Sequence, residues 1–347
     1  MTDYDIWFST LKLSNKIKLD LIKEYKNTEN IWENCKLDKI KNSWNNNLIK
    51  DIKNIINSNN IKMVHYNDIL YPNKLKEIEN APTTLFYKGD ISRLNEEYNV
   101  SIVGSRNSTN YGLNVTKILS CELTKNNINI ISGMARGIDS CAQNTCINNK
   151  GYTCAILGCG LDIIYPKENK ELYNQIAYSG CLISEYLPGT PPLSINFPIR
   201  NRIISGLSDI VIIVEAGIKS GSLITASMAL EQGKDVMAVP GSIFSEQSKG
   251  CNKLIRDGAY PVTCIEDVFR ILNIDYKSTK KKKIQKFTKE QEKICSVLSD
   301  EPIHIDDILK ITDIDINHLY EVLFELQLKE EIICLAGSYY VKNQQNI

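Results

Sequence analysis

Histidine is almost missing from this 347-residue chain: there are three, His65, His304 and His318, and none between residues 66 and 303. A Ser-His-Asp or Cys-His nucleophile site therefore cannot be built in the middle of the protein, and histidine-ligated zinc is excluded there too. Cysteine is present eleven times, but the number is odd and no Cys-x-x-Cys occurs. A chain of this size does not need disulfide staples, so the thiols read as small buried apolar side chains in a reducing compartment. Cys141 and Cys146 are the nearest thing to a zinc pair, and helix packing explains them better. No run of about 18 apolar residues exists, and Met1-Thr-Asp-Tyr-Asp-Ile-Trp7 has no basic segment leading into an apolar one. The chain is read as cytoplasmic, with no membrane contact. Net charge is absent as well, since 41 Lys+Arg balance 41 Asp+Glu. No global basic excess advertises nucleic acid, so any anionic partner must be held by local geometry. The dinucleotide fingerprint Gly-x-Gly-x-x-Gly is also lacking, because Gly158-Cys159-Gly160 is followed by Ile163 where the third glycine would stand. That disfavours a nicotinamide oxidoreductase.

What remains is an ordinary globular composition, 43% apolar and 24% charged, which predicts a packed core. Residues 1–62 carry apolar residues at helical spacing, among them Leu11, Ile17, Leu21, Ile22, Ile52, Ile55 and Ile56, and read as a small helical domain. Pro72, Pro82 and Gly89 predict a short irregular connection into a second domain, 63–275. There short apolar strands at 100–103, 129–131, 153–157, 181–183, 209–214 and 235–239 alternate with helical stretches. Such alternation predicts an α/β fold with a Rossmann-like parallel sheet covered by helices. Residues 276–287, with Lys280 to Lys283 in a row, read as a solvated basic linker. Residues 288–347 read as a winged helix, opened by the capping box Thr288-Lys-Glu-Gln291 and closed by two extended segments around Gly337.

Ligands of a parallel sheet sit in the loops that leave the carboxyl ends of its strands. Gly104-Ser105-Arg106 follows the first strand, and small residues, free helix-start amides and a forked guanidinium suit a phosphate. The second strand ends in Ser132-Gly133-Met-Ala-Arg136-Gly137-Ile-Asp139, with Asp139 placed to cap a helix and Arg136 open between a ligand contact and a pair with Asp139 or Glu185. Pro166 can begin a helix and so set Lys167 in its first turn. Phe197-Pro-Ile-Arg200-Asn201-Arg202 places two arginines in the first turn of a proline-started helix, where they oppose the helix dipole unless an anion is supplied. At most one of Arg200 and Arg202 reaches a ligand while the other braces Glu185 or Glu215. Phe197 reads as a base-stacking residue or as core. Ser220-Gly221-Ser222 adds a last small-residue loop and capped helix.

These stretches together resemble the DNA processing protein A family, also called DprA or Smf: Ser101-Ile-Val-Gly-Ser-Arg106, Ser132-Gly-Met-Ala-Arg-Gly-Ile-Asp139, Gly160-Leu-Asp-Ile-Ile-Tyr-Pro166, Phe197-Pro-Ile-Arg-Asn-Arg-Ile-Ile204, Ser220-Gly-Ser-Leu-Ile-Thr-Ala226 and Val239-Pro-Gly241. The resemblance covers roughly residues 66–270. It implies an extended Rossmann-like domain, flanked by a helical domain and a winged helix, that binds single-stranded DNA, forms a homodimer and loads the RecA recombinase on incoming strands in natural transformation. It implies no catalysis, metal or cofactor. By motif position it assigns DNA contact to Gly104, Ser105 and Arg106, with Lys167, Phe197 and Arg200 where further contacts are expected. Gly133, Arg136, Gly137, Asn201, Arg202, Ser220, Gly221 and Ser222 complete the expected interface from the phosphate-sized loops. Gln143 stands where the family usually has histidine. A runner-up enzyme, a nucleotide N-glycosidase of phosphoribohydrolase type with Glu185 or Glu215 as carboxylate, would need a Pro-Gly-Gly-x-Gly-Thr loop, and Ala216-Gly-Ile-Lys-Ser-Gly-Ser222 stands there instead. The winged helix displays Glu321, Glu325 and Glu330 on its recognition helix, with Asp306 and Asp307 on the helix before it, a poor surface for a phosphate-lined groove. It is read as contacting protein or as structural.

Overall fold

Short polar caps cut the first sixty residues into five helices, α1 (Asp3–Thr10), α2 (Asn15–Tyr25), α3 (Thr28–Asn34), α4 (Asp38–Lys41) and α5 (Asn46–Ser58). Thr2, Ser14, Asn27 and Asn45 each accept from the backbone N–H three residues on, satisfying donors that a helix start leaves orphaned. The computed structural model describes residues 1–277, 287–329 and 331–343. The Lys280–Lys283 run and Glu330 lie outside the described residues. The chain divides into two compact units, Met1–Ser278 and Thr279–Ile347.

In the first unit the helices are followed by β1 (Lys62–His65), β2 (Thr84–Gly89), β3 (Asn99–Val103), α6 (Asn110–Lys125), β4 (Asn129–Ser132), α7 (Ile138–Asn148), β5 (Thr153–Leu157), α8 (Lys170–Ser179), β6 (Cys181–Ser184), α9 (Asn196–Leu207), β7 (Ile210–Ile213), α10 (Gly221–Glu231), β8 (Asp235–Ala238), α11 (Lys249–Arg256), β9 (Tyr260–Pro261) and α12 (Ile265–Leu272). Among the described residues the strands form one sheet in the order β1-β2-β6-β5-β4-β3-β7-β8-β9. From β6 to β9 every pairing is parallel, whereas β1 and β2 add an antiparallel end. β3 to β7 are buried along their whole length, as strands covered by helices on both faces must be.

Two expectations change here. The irregular connection predicted from Pro72, Pro82 and Gly89 instead carries β2, paired to β1 on one side and β6 on the other, because Leu85 to Tyr87 is a buried apolar run. The helical segment 1–62 shares a core with the sheet: Ile6, Trp7, Phe8 and Ile52 belong to one cluster with Leu157, Leu172 and Leu182. Trp7, Trp32 and Trp44 pack on one another with ring centroids 4.9 to 5.9 Å apart. The thiols of Cys141 and Cys146 point to the backbone carbonyls of Leu113 and Tyr152.

His65 joins the helical segment to the sheet, with Nε2 3.6 Å from Asp5 Oδ1 and Nδ1 3.1 Å from Thr84 Oγ1. Burial pushes the imidazole pKa down from 6.5, against the attraction of Asp5 and Asp68. Asp5 is half-buried, which raises its pKa, but the Thr2 amide, His65 and Thr28 hold its carboxyl below the usual range. Both folded-state values lie below their unfolded ones, so the folded state binds fewer protons and stability falls as pH falls. The His65 contribution acts below about pH 6.5 and that of Asp5 below about pH 4. Urea unfolding at pH 7.5 and 5.5 is expected to show a loss on acidification that His65→Gln reduces; an equal loss in both proteins would refute the assignment.

The second unit is built from α13 (Lys289–Val297), β10 (Ile303–His304), α14 (Ile305–Thr312), α15 (Ile316–Leu328), β11 (Ile332–Leu335) and β12 (Tyr339–Lys342). The expected Thr288–Gln291 capping box is present, and the three strands form a small antiparallel sheet in the order β10-β12-β11. Ile294, Ile308, Leu319, Leu323 and Leu326 fill its own core.

Candidate functional site

Chain order reverses between β3 and β7: β4 and β5 lie on one side of β3, β7 and β8 on the other. At such a switch point the loops leaving two adjacent parallel strands diverge and leave a crevice. Here the crevice is a cleft of about 640 Å³ lined by Gly104, Ser105, Arg106 and Asn107 after β3, by Phe197, Arg200 and Asn201 of α9, and by Lys219, Ser220, Gly221 and Ser222 before and within α10. Asp139, Tyr165, Ser194 and Gln247 also line it.

The loop after β3 is clamped from below. Ser105 N–H donates to Glu215 O at 2.7 Å, and Ile138 N–H donates to Ser105 O at 3.2 Å. Gly137, with φ +75°, makes this approach possible, since a Cβ there would stand 2.3 Å from Ser105 O. The amides at the start of α6 were expected to be free for a ligand anion. The protein fills that place itself: the Glu215 carboxylate, 1% exposed, accepts from Thr109 N at 2.8 Å and from Thr109 Oγ1 at 2.5 Å.

Arg200 forms part of the floor. It is 4% exposed, and its Nη1 donates to Gly133 O at 2.9 Å and also to Ile156 O, while Nε has no acceptor among the described residues. Asp139 does not cap α7, whose N-cap is Gly137; its Oδ2 instead accepts from Gly133 N at 3.1 Å and Ala135 N at 3.4 Å. Gly133 lies between the two charged groups, where a Cβ would be 2.8 Å from Arg200 Nη2 and 2.8 Å from Asp139 Oδ2. Burial raises the Asp139 pKa against the opposing pull of Arg200, and burial lowers that of Arg200 to about 10, which leaves it charged at neutral pH. Met134 beside them is fully buried with φ +54°, a conformation that costs about 1–3 kcal/mol and persists only where packing enforces it.

Phe197 is half-buried. The Arg106 and Arg200 guanidinium carbons lie 5.7 and 5.9 Å from its ring centroid, and the Tyr165 ring lies 5.4 Å away. Arg106 is exposed beside this aromatic pair. α9 begins at Asn196, so Pro198 is its third residue rather than its first, and Arg200 and Arg202 stand in the second turn instead of the first. Pro198 is tolerated because the first four helix amides have no intrahelical acceptor. Arg202 does not face the cleft; its Nη2 holds both oxygens of Glu185 at 2.6 and 2.5 Å, and Asn15 donates to the same carboxylate at 2.7 Å.

Of the remaining expected residues, Gly133 and Arg136 line a smaller adjoining cleft, which shares Arg106, Tyr165, Phe197 and Arg200 with the first. Arg136 pairs with Glu168, not with Asp139 or Glu185. Pro166 precedes a single 3₁₀ turn, Lys167–Asn169, that runs into α8; Lys167 is exposed there and, like Gly137 and Arg202, lines neither cleft. Tyr165, Asn107, Lys219 and Gln247 were not foreseen, although Tyr165 sits in the quoted Gly160–Pro166 motif and Lys219 in the loop before Ser220. Gln143 is fully buried and donates to Thr153 Oγ1 and Cys154 O, lining neither cleft.

Residues 62–273 match the family model of the DNA recombination-mediator protein A, and residues 279–338 match that of the DprA winged helix domain. The chain is 46% identical over 202 residues to the DNA processing protein DprA of Streptococcus pneumoniae, covering 58% of this chain and 71% of that one. The crystal structure of DprA from that species superposes with a TM-score of 0.70 at 36% identity, over 78% of this chain and 98% of the other. A Helicobacter pylori DprA structure, described in terms of that protein's single-stranded DNA binding mode, gives a TM-score of 0.57 at 32% identity, over 63% and 99%.

Proposed function

The chain belongs to the DNA recombination-mediator protein A family, and from that premise we propose that it binds single-stranded DNA irrespective of sequence, shields the strand during DNA uptake and passes it to RecA recombinase. It acts as a cytoplasmic homodimer, two-fold closure being the default for identical subunits, and does no chemistry on the strand. The observation that carries this reading is the cleft at the β3/β7 switch point, where the exposed guanidinium of Arg106 stands beside the Tyr165 and Phe197 rings. Aromatic faces accept any base by stacking, and a guanidinium pairs with any phosphate, so the pairing is indifferent to sequence. Gly104, Ser105, Asn201, Ser220, Gly221 and Ser222 supply the small and polar wall around it. A glycosidase reading is disfavoured because both of its candidate carboxylates are engaged, Glu185 by Arg202 and Glu215 by Thr109. Incubation with AMP is expected to release no base.

Two exposed cations line the cleft, Arg106 and Lys219, since Arg200 is buried against the Gly133 and Ile156 carbonyls and Arg202 is committed to Glu185. At about 0.7 per phosphate the log-log salt slope is about −1.4, so a fourfold rise in salt weakens binding roughly 7-fold. Fluorescence anisotropy with labelled oligo-dT at several salt concentrations measures this, and a flat response contradicts the proposal. Arg106→Ala is expected to weaken binding about tenfold on dT, dA and mixed strands alike and to flatten the slope by about 0.7. Loss confined to one sequence would argue for base readout instead.

A further inference from the structure

The recognition helix of the second unit carries a feature that neither the cleft nor DNA binding uses. On α15, Ile316, Tyr320 and Phe324 recur at i, i+4 and i+8 and are 37%, 49% and 61% exposed. They form one exposed stripe, about a quarter turn around the helix from Leu319, Leu323 and Leu326, which are buried in the unit's core. A helix that needs only its buried leucines to fold has no structural use for two aromatics in water, and contiguous exposed apolar surface marks an interaction site. Aromatic side chains are the commonest anchors of such sites.

Charge decides the occupant. Residues 287–343 contain twelve Asp and Glu against five Lys and no Arg. Three of those lysines are held within the unit: Lys293 bonds Thr312 O, Lys329 bonds Gln291 Oε1 at 2.8 Å and Lys310 pairs with Asp307 at 3.1 Å. Glu321 and Glu325 flank the stripe on the exposed surface of α15. Duplex DNA would be repelled by this surface, whereas a cationic partner with its own apolar side chains would be complementary in both respects. We propose that α15 is a protein-docking surface for a basic amphipathic helix whose large apolar residues recur at i and i+4. The stripe spans about 12 Å, two to three turns of a partner helix, which sets the affinity in the micromolar range typical of small contacts.

The test uses the full chain and a fluorescein-labelled synthetic peptide of about 18 residues, with leucines on one helical face and lysines elsewhere, beside a scrambled peptide of the same composition. The amphipathic peptide is expected to bind saturably, and the scrambled one at least about tenfold more weakly. Tyr320→Ser and Phe324→Ser should each weaken binding at least about fivefold, with the melting temperature and oligo-dT affinity unchanged, because both side chains are outside the core and the cleft is not involved. The proposal is overturned if both peptides bind alike, or if the variants bind as well as the parent chain. It is equally overturned if the stripe proves to serve salt-sensitive duplex binding, or concentration-dependent self-association that Phe324→Ser abolishes.

Discussion

Arg200→Ala is expected to destabilise the first unit by about 3–5 kcal/mol, a drop of roughly 10 °C in a thermal melt. The guanidinium does two things at once: it bonds the Gly133 and Ile156 carbonyls, and it supplies the positive charge that offsets the buried Asp139. Truncation removes the donor from both carbonyls and leaves a buried carboxylate with only backbone amides for company. The loss is therefore one of an uncompensated charge rather than of a single contact. Adding Asp139→Asn to Arg200→Ala should recover part of the loss, since the amide carries no charge, and a double variant less stable than Arg200→Ala alone would contradict this account. Arg106→Ala, made on an exposed side chain, should leave the melt within a degree or two; a melting change under about 3 °C for Arg200→Ala would show the floor to be dispensable.

Gly137→Ala has the second large effect, and it reaches function as well as stability. Gly137 combines φ +75° with ψ −124°, a region essentially closed to residues bearing Cβ, and the added methyl would lie 2.3 Å from Ser105 O and 2.8 Å from Arg106 O. The obstacle is backbone, so it cannot swing aside; the Ser105–Arg106 loop must shift. The expected result is about 2–4 kcal/mol of lost stability together with at least a tenfold loss of oligo-dT affinity, although Gly137 does not line the cleft. Gly221→Ala is the matched control. A Cβ there meets nothing within 4 Å and the residue opens a helix, so stability should change by less than about 0.5 kcal/mol. Intact binding in Gly137→Ala would separate the loop from the DNA site.

The sequence made β3 to β8 legible because a strand buried on both faces is a contiguous apolar run closed by a turn, and each such run was read to within a residue or two. β1, β2 and β9 escaped: Lys62 to His65 is short and only half-buried, Thr84 to Gly89 is buried but lies between Pro82 and Gly89, which read as breakers, and β9 is two residues long with a proline. The loops of the cleft were legible as small-residue segments after strands, and Gly104 to Arg106 and Ser220 to Ser222 do line it. Partners across loops were not legible. Glu185 was foreseen as one possible brace for an arginine of α9, but the pairing of Arg136 with Glu168 and of Glu215 with Thr109 depends on how separate loops meet, which no local pattern encodes. Lys219 and Tyr165 were missed because a single lysine or tyrosine in a loop has no periodicity to distinguish it.

β9 ends the sheet with Tyr260 and Pro261, paired on their inner side to Met237 and Ala238. Proline has no N–H, so the outer rim of this last strand cannot offer the alternating donors that a further strand would need. A sheet edge of this kind does not template its own continuation. Two copies of the chain that meet on this flank must recognise each other through side chains, with a fixed stoichiometry set by shape, and the open-ended fibre that strand addition invites is closed off at its first step.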